Sequence, residues 1–327
     1  MSSDNLQQQL IKYLADAHSI EEQALQQLKK APDIAGDPTI AAAFSEHLAE
    51  TERHESLTRE RLEALGASPS RFKDLVMKVG GEGFVWFAKS QPDSTGKLVN
   101  HAYSYEALEL GSYEMLLRVA LRAGDHETAR IAREIRDDER QMRDRLGASF
   151  DQSVATSLRE QDPDDMDKQL VKYLADAHAL ENQAIGLLES GPKMVEIPEF
   201  EQVMAKHLVE TRDHRRMVEA RLEAHGESPS KLKDIAMKAG ALNWGGFFAT
   251  HPDTPGKLNV FAFAFEHLEI AGYEQLKRVA ERAGDTETVQ VAESILTEER
   301  TAASKLESLF DQTCEASLEA VGVETTA

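Results

Sequence analysis

The chain has 327 residues, of which 58 are acidic and 37 basic, so its formal net charge is −21. This balance argues against non-specific nucleic-acid binding, which needs clustered lysine and arginine. The only cysteine, Cys314, excludes an intramolecular disulfide and a thiolate metal cluster. No apolar run is long enough to span a membrane, and no signal-peptide pattern is visible, so we expect a cytoplasmic protein without a membrane partner.

An internal repeat organises the sequence. The segment IKYLADAHSIEEQAL, which begins at Ile11, returns as VKYLADAHALENQAI from Val171, an offset of 171 − 11 = 160. The same offset relates the proline, tyrosine and phenylalanine landmarks that follow. An acidic stretch with a proline, residues 159–165, is typical of a domain boundary. We therefore predict two duplicated domains, copy one at 1–158 and copy two at 164–327.

Apolar periodicity predicts four long amphipathic helices in copy one. They cover residues 6–30, 39–65, 97–123 and 126–158. The long connection at 67–96 contains a predicted short helix at 71–77 and an apolar piece at 84–87, which we interpret as packing rather than a cofactor site. Two helices, a long crossover and two further helices are typical of ferritin-like bundles. The predicted fold is all-α, with two tandem ferritin-like four-helix bundles, each with a long crossover between helices two and three.

The second helix contains the most informative motif. It reads HLAETERHE from His47 and returns as HLVETRDHR from His207. Helical spacing places His47, Glu50 and His54 on one face, together with the apolar residues that should point into the core. A carboxylate and two imidazoles are costly to bury unless they are paired or bind a metal. The other helices must therefore supply partners for them.

Each remaining helix offers an inward carboxylate. Helix one contributes Glu21, helix three Glu106 and Glu109, and helix four Glu139. Together with Glu50 and His54 these four make six candidate ligands, and their equivalents in copy two are Glu181, Glu210, His214, Glu266, Glu269 and Glu299. Clustered buried carboxylates either bind cations or become protonated and hydrogen-bond to one another. Carboxylates with imidazole suit iron, manganese or zinc.

The predicted metal site is dinuclear in each copy. Glu50 and one helix-three glutamate would bridge the ions, while Glu21, Glu139 and His54 would be terminal ligands. We expect His47 and His207 to support the site from outside. The spacing from Glu50 to His54 is four residues, whereas the usual bundle motif is Glu-x-x-His.

The segments YLADAHSIEEQAL, HLAETERH, YEALELGSYEML and Asp138-Glu139-Arg140 resemble the YciE/YciF family of ferritin-like proteins, once known only as a domain of unknown function. The resemblance covers both copies nearly end to end. It implies a ferritin-like fold, metal binding and a link to stress responses. The chain departs from the family at Arg143 and Ala303, where members often have an acidic residue.

The expected function is a stress-associated handling of iron or peroxide by a carboxylate-rich dinuclear site in each bundle. Iron is the favoured metal, with manganese or zinc as alternatives, and a small oxidant is a candidate partner. Two readings stay open beside it: a metal-free structural or interaction protein, and metal sensing or buffering without turnover. Whether the protein is an oxidoreductase, and whether it forms a homo-oligomer, also stay open.

Overall fold

A computed structural model of the protein describes residues 2–67, 94–159, 162, 165–227 and 253–323. Within these ranges the chain is helical and contains no strand, which confirms the all-α prediction. The residues form two compact units, Met1–Ser157 with Cys314–Ala327, and Leu158–Thr313. The domain limits at 1–158 and 164–327 stay a prediction. None of the described helices is long and apolar enough to cross a membrane.

Among its described residues, copy one contains four long helices and two short ones. They are α1 (Ser2–Leu28), α2 (Ala31–Ile34), α3 (Pro38–Ala64), α4 (Ser94–Arg122), α5 (His126–Ala148) and α6 (Phe150–Leu158). The side chain of Asp37 starts α3 by accepting hydrogen bonds from the backbone N–H groups of Thr39 at 2.8 Å and Ile40 at 3.1 Å. The predicted short helix at 71–77 and the apolar piece at 84–87 lie outside the described residues.

The structure has two helices, α5 and α6, where the sequence predicts a single fourth helix. The backbone N–H of Ser149 bonds to the carbonyl of Leu146 at 2.9 Å, and its hydroxyl donates to the same oxygen at 2.7 Å. This local i to i−3 pairing closes α5, and Phe150, which is buried, begins α6. The apolar pattern runs through the break, so periodicity alone did not reveal it.

The four long helices of copy one enclose a common core. Helix α1 packs against α3 and α4, and α5 packs against the same two helices. Each long helix therefore has two long neighbours, and the inward faces of all four meet. The largest fully buried side chains of this core include Tyr113, Phe44 and Leu62. Polar groups on those faces are brought together at the centre.

A short turn and one arginine fix α3 against α5. Gly124, at φ 67°, ends α4 in the left-handed conformation that favours glycine. Asp125 then starts α5 by accepting from the backbone N–H of Thr128 at 3.0 Å. From α3, Arg61 donates to the Thr128 hydroxyl at 2.8 Å and to Asp125 at 2.5 Å. These bonds set the rotation of the helix that carries the histidines relative to the helix that carries Glu139.

Copy two repeats this arrangement. Its helices are α7 (Met166–Ser190), a 3-10 turn (Gly191–Met194), α8 (Pro198–Ala224), α9 (Thr254–Ala283), α10 (Thr286–Ser308) and α11 (Phe310–Ala320). Helix α7 packs against α8 and α9, and α10 packs against the same two. Arg221 again joins its helix to the next turn, through Thr288 and Asp285. The duplication seen in the sequence is thus a duplication of the helical packing.

Candidate metal centre

Helix α3 supplies two histidines to the core of copy one. His47 and His54 are seven residues apart, which is two helical turns, so they lie on one face. Their exposed fractions are 1% and 0%. Thr51 and Thr58, buried on the same face, donate back to backbone carbonyls of α3. The histidine rings reach toward the other helices, and the Thr58 hydroxyl also lies 3.1 Å from His18 Nδ1 of α1.

The other three helices direct four glutamates at these rings. The glutamates are Glu21 on α1, Glu106 and Glu109 on α4, and Glu139 on α5, each 3% exposed or less. Their oxygens and the histidine nitrogens form two groups, in each of which the candidate ligand atoms all lie within 4.8 Å of one another. The first group, which we name the His47 position, comprises His47, Glu106, Glu109 and Glu139. The second, the His54 position, comprises Glu21, His54 and Glu139.

Glu139 belongs to both positions. Its Oε2 lies 3.4 Å from His47 Nε2, and its Oε1 lies 2.8 Å from His54 Nδ1. The remaining contacts place Glu106 Oε2 at 3.1 Å from His47 Nε2 and Glu21 Oε2 at 3.8 Å from His54 Nδ1. One carboxylate therefore has an oxygen in each of two adjacent groups, as a carboxylate that bridges two metal ions does.

The inward atoms of these side chains lack hydrogen-bond partners. They are Glu21 Oε2, His47 Nε2, His54 Nδ1, Glu106 Oε2, and both carboxylate oxygens of Glu109 and Glu139. Some lie within ion-pair distance of each other, yet no donor points at an acceptor with hydrogen-bond geometry. Buried polar atoms are nearly always satisfied, and an unmade partnership costs stability. A set of such atoms that converges on two points fits bound cations.

The outward nitrogen of each histidine contacts a carboxylate. His47 Nδ1 lies 3.0 Å from Glu50 Oε2, and His54 Nε2 lies 3.1 Å from Asp138 Oδ2. Histidines that bind metal commonly donate their second N–H to a carboxylate, which fixes the tautomer and turns the other nitrogen toward the ion. Glu50 and Asp138 hold the rings in this way. The hydrogen bonds from His47 and His54 also lower the pKa of Glu50 and of Asp138 respectively.

Two tyrosines border the cluster. The Tyr113 hydroxyl donates to Glu21 Oε1 at 2.5 Å, which leaves Oε2 as the oxygen that faces the His54 position. The Tyr105 hydroxyl donates to the carbonyl of Ile20 at 3.1 Å. Burial and then neighbouring carboxylates raise the pKa of both tyrosines well above the usual value. Both hydroxyls therefore stay protonated.

Without a cation the cluster holds protons. Burial raises the pKa of Glu21 to about 8, and burial followed by the nearby Glu139 raises that of Glu109 well above its usual value. Burial opposes charging of the histidines, but the Glu106 carboxylate raises the pKa of His47 to about 11. For His54, the adjacent carboxylates of Asp138 and Glu139 outweigh burial and raise the pKa to about 10. Neutral acids and imidazolium ions thus balance the charge.

Copy two reproduces the geometry at every position. The His207 position comprises His207, Glu266, Glu269 and Glu299, and the His214 position comprises Glu181, His214 and Glu299. Glu299 lies 3.3 Å from His207 Nε2 and 2.9 Å from His214 Nδ1. The equivalent inward atoms again lack partners, and Tyr273 donates to Glu181. Two diverged sequences converge on one arrangement, so it does not depend on one local choice of side-chain conformer.

The protons are distributed slightly differently in copy two. Burial raises the pKa of Glu181 to about 8 and that of Glu266 to about 7. Burial also favours the neutral form of Glu299, but the adjacent imidazoles of His207 and His214 outweigh it and lower the pKa of this shared residue. In copy one, burial raises the pKa of Glu139 to about 7. In both copies the bridge is held between two imidazolium rings.

The structure brings together most of the residues singled out in the sequence. Glu21, His54, Glu106, Glu109 and Glu139 share the two positions of copy one, and their equivalents share those of copy two. Glu50 and Glu210 are in neither group, and their side chains are 51% and 21% exposed. His47 and His207, which sequence reasoning placed outside the site, lie inside it. The set of metal ligands stays a prediction.

Sequence reasoning missed Asp138 and its equivalent Glu298. His214 Nε2 lies 2.7 Å from Glu298 Oε2, so both copies place an acid here. The signal was present as an acidic residue directly before the helix-four glutamate in each copy. Because adjacent residues on a helix point about 100° apart, Asp138 is half-exposed beside a buried Glu139. Helical periodicity therefore gave no reason to single it out as a site residue.

The sequence model of a family described as "Domain of unknown function (DUF892)" matches residues 5–159 and again 165–319. The chain belongs to the DUF892 family. The two matches meet near the predicted boundary and confirm a tandem duplication. No solved structure matches the chain. Within this DUF892 tandem, the narrower resemblance to YciE/YciF proteins stays a prediction.

Proposed function

We propose that each DUF892 copy is a ferritin-like four-helix bundle that holds two transition-metal ions. The His47 and His54 positions would take one ion each in copy one, with Glu139 as the bridge. The observation that carries this proposal is the convergence of unsatisfied, buried ligand atoms on two adjacent points, repeated in copy two. Copy two would use the His207 and His214 positions with Glu299 between them.

Charge supports two ions per copy. Four carboxylates in each cluster carry four negative charges when ionised, and two neutral imidazoles add none. Two divalent cations balance that charge. A single ion would leave two buried negative charges uncompensated, which is costly in an apolar core. The number of carboxylates therefore fits a dinuclear centre better than a mononuclear one.

Distances also support a transition metal. Metal–nitrogen and metal–oxygen bonds of about 2.0–2.2 Å place two ligands of one ion at most about 4.4 Å apart. Ligand atoms already within 4.8 Å need only small side-chain movements to reach that range. Imidazole with carboxylate suits iron, manganese and zinc, whereas calcium and magnesium prefer oxygen alone. Among the three, we favour iron because carboxylate-bridged pairs in such bundles commonly hold it.

A bound iron pair would supply one-electron redox chemistry toward ferrous iron or peroxide. The residues of the chain hold the ions, exclude bulk water and manage protons. Glu21 is held by Tyr113, and His47 by Glu50, so both present a fixed atom to the site. Glu109 tends to hold a proton when no metal is bound, because both of its oxygens are buried without hydrogen-bond partners. On this basis we propose a role in iron or peroxide handling, and the resemblance to YciE/YciF proteins is the ground for proposing a link to stress.

Metal analysis tests the proposal. Full-length protein purified without chelator, and the same protein reloaded with Fe²⁺ without oxygen, should bind about four ions per chain. Variants with Glu139→Gln and Glu299→Gln together should lose them, while the exposed pair Glu127→Gln and Glu287→Gln should not. Peroxide consumption or Fe²⁺ oxidation by loaded protein then distinguishes turnover from sensing or buffering. A chain that folds and binds no metal under any of these conditions would support the metal-free structural reading instead.

A further inference from the structure

We propose that Arg53 and Lys206 are positioning residues that weaken the metal position beside each of them, so the four positions of the chain have graded affinities. The inference rests on the proposed metal centre and adds an order of filling to it. The His47 position would bind most tightly and the His54 position most weakly. The two positions of copy two would lie between them.

The starting point is the outer carboxylate of each histidine. Four histidines contact four such acids, and in each copy one acid also pairs with a cation. In copy one, Arg53 pairs with Asp138, the acid beside His54, and with Glu134. Arg53 Nη2 also lies 3.5 Å from His54 Nε2. Glu50, the acid beside His47, has no cation other than His47 within ion-pair distance among the described residues.

In copy two the cation lies beside His207, the equivalent of His47, rather than beside the equivalent of His54. Lys206 Nζ lies 2.5 Å from Glu210 Oε1, and Glu210 is the acid beside His207. Glu298, beside His214, pairs with no other cation in the part of the chain that the structure describes. The exchange follows from substitutions between the copies, because Glu46 aligns with Lys206 and Arg53 with Asp213. Asp213 pairs instead with Arg216 on its own helix.

The histidine contacts follow the cations. Without a cation, the distance from histidine nitrogen to carboxylate oxygen is 3.0 Å for His47 and 2.7 Å for His214. With a cation on the same carboxylate, it is 3.1 Å for His54 and 3.4 Å for His207. Comparing equivalent histidines, His47 is closer to its acid than His207, and His214 is closer than His54. A carboxylate shared with a cation thus holds its histidine less closely.

This second contact controls metal affinity. A carboxylate on the outer nitrogen raises the basicity of the imidazole, and loss of such a partner typically weakens metal binding 10- to 100-fold. A cation that shares the carboxylate removes part of that effect, and its own charge opposes the incoming ion. Since Arg53 and Lys206 are 45% and 69% exposed at their side chains, solvent reduces both effects. We expect about a 10-fold weakening at each position.

The number of ligands adds a second difference. The His47 and His207 positions each offer four groups, whereas the His54 and His214 positions offer three. In copy one the cation is at the position with three groups, so both effects act in the same direction. In copy two the cation is at the position with four groups, so they oppose. Copy one therefore has one tight and one exchangeable ion, and copy two has two ions of similar affinity.

Titration of the full-length, metal-stripped chain with Co²⁺ tests the order, because each ion bound inside the bundle changes the visible absorption. Arg53→Gln should tighten the weakest of the four ions about 10-fold and leave the tightest unchanged. Lys206→Gln should tighten one intermediate ion. Arg59→Gln and Lys168→Gln are matched controls, since each removes an exposed cation paired with acids that do not contact the four histidines.

Equivalent histidines provide a second test. His54→Ala should remove the weakest ion, whereas His214→Ala should remove an intermediate one. Circular dichroism checks that the two histidine variants fold. If they do not, Arg53→Gln and Lys206→Gln still test the inference, because both side chains are exposed. Four ions that bind in wild type and respond equally, or not at all, to Arg53→Gln and Lys206→Gln would overturn the inference and leave the metal centre standing. A wild-type chain without buried Co²⁺ would instead overturn the proposed function.

Discussion

Metal binding should release about four protons from each bundle at pH 7. In the metal-free cluster of copy one, the pKa values of His47, His54 and Glu21 are raised to about 11, 10 and 8. The pKa of Glu109 is also raised well above its usual value. These four groups therefore hold protons at pH 7. All four belong to the two candidate positions, where a bound metal requires the deprotonated forms.

The magnitude follows directly. Two divalent ions replace about four protons, so the product of the two binding constants should rise about 10⁴-fold per pH unit near neutrality. Copy two holds protons at the equivalent groups, His207, His214, Glu181 and Glu269. The full chain should thus release about eight protons as four ions bind. Few metal sites with exposed ligands would release so many, because exposed carboxylates are already ionised at pH 7.

Calorimetry can count these protons. The metal-stripped full chain is titrated with Co²⁺ at pH 7 in two buffers that differ in ionisation enthalpy, and the difference in observed heat gives the number released. Glu139→Gln with Glu299→Gln provides the background from surface sites. If four ions bind with fewer than about one proton released per bundle, then the buried histidines and glutamates described here are not the ligands.

Three further outcomes follow from the same geometry. Glu139→Gln should remove both ions from copy one, which metal stoichiometry would show. Glu50→Gln affects only the outer nitrogen of His47 and should weaken the binding of one ion about 10-fold, which a metal titration would show. Tyr113→Phe removes the donor to Glu21 Oε1 and should weaken the His54 position about 10-fold, with no change at the His47 position. Groups with raised folded-state pKa values stabilise the metal-free fold while protonated, and for Glu21 this stability is lost as pH rises from about 4.5 to about 8. Metal affinity rises over the same window, so the melting-temperature gap between loaded and chelated protein should widen with pH, and a flat gap would contradict a buried shared site.

Much of the helical fold could be predicted because many of the helix boundaries have a local signal. Gly124 ends one helix, and Asp125 starts the next by a side-chain bond that its sequence position already suggests. The break at Ser149 could not be predicted in this way, since its apolar neighbours continue the helical pattern. The inward glutamates were found by the same periodicity. Whether these glutamates meet in one cluster depends on how the helices pack against one another, and helical periodicity does not give that packing.

The places of His47 and Glu50 show what periodicity cannot resolve. The two residues are three apart and share one broad face of α3, so the sequence cannot tell which reaches the core centre. The choice depends on the rotation of α3, which Arg61 fixes through Thr128 and Asp125 on α5. With that rotation His47 is 1% exposed and the Glu50 side chain 51%. Contacts between α3 and α5, among them those of Arg61 and of Arg53, thus decide which residue is a candidate ligand and which supports it.

The duplication also shows which residues around the cluster differ between the two copies. Every inward group of the cluster is identical in the two copies, and so are the outer residues Glu50 and Tyr113 and their equivalents, but two other outer residues differ. Tyr105 aligns with Phe265, and Asp138 with Glu298. Tyr105 donates to a backbone carbonyl beside Glu21, so its replacement by phenylalanine removes a hydroxyl from the border of copy two without altering the candidate ligands. In the proposed metal centre, changes in these outer groups would shift metal affinity and proton binding without removing a candidate ligand, so the two copies would hold metal with different strengths. On that proposal, a chain with both copies would retain one ion while exchanging another.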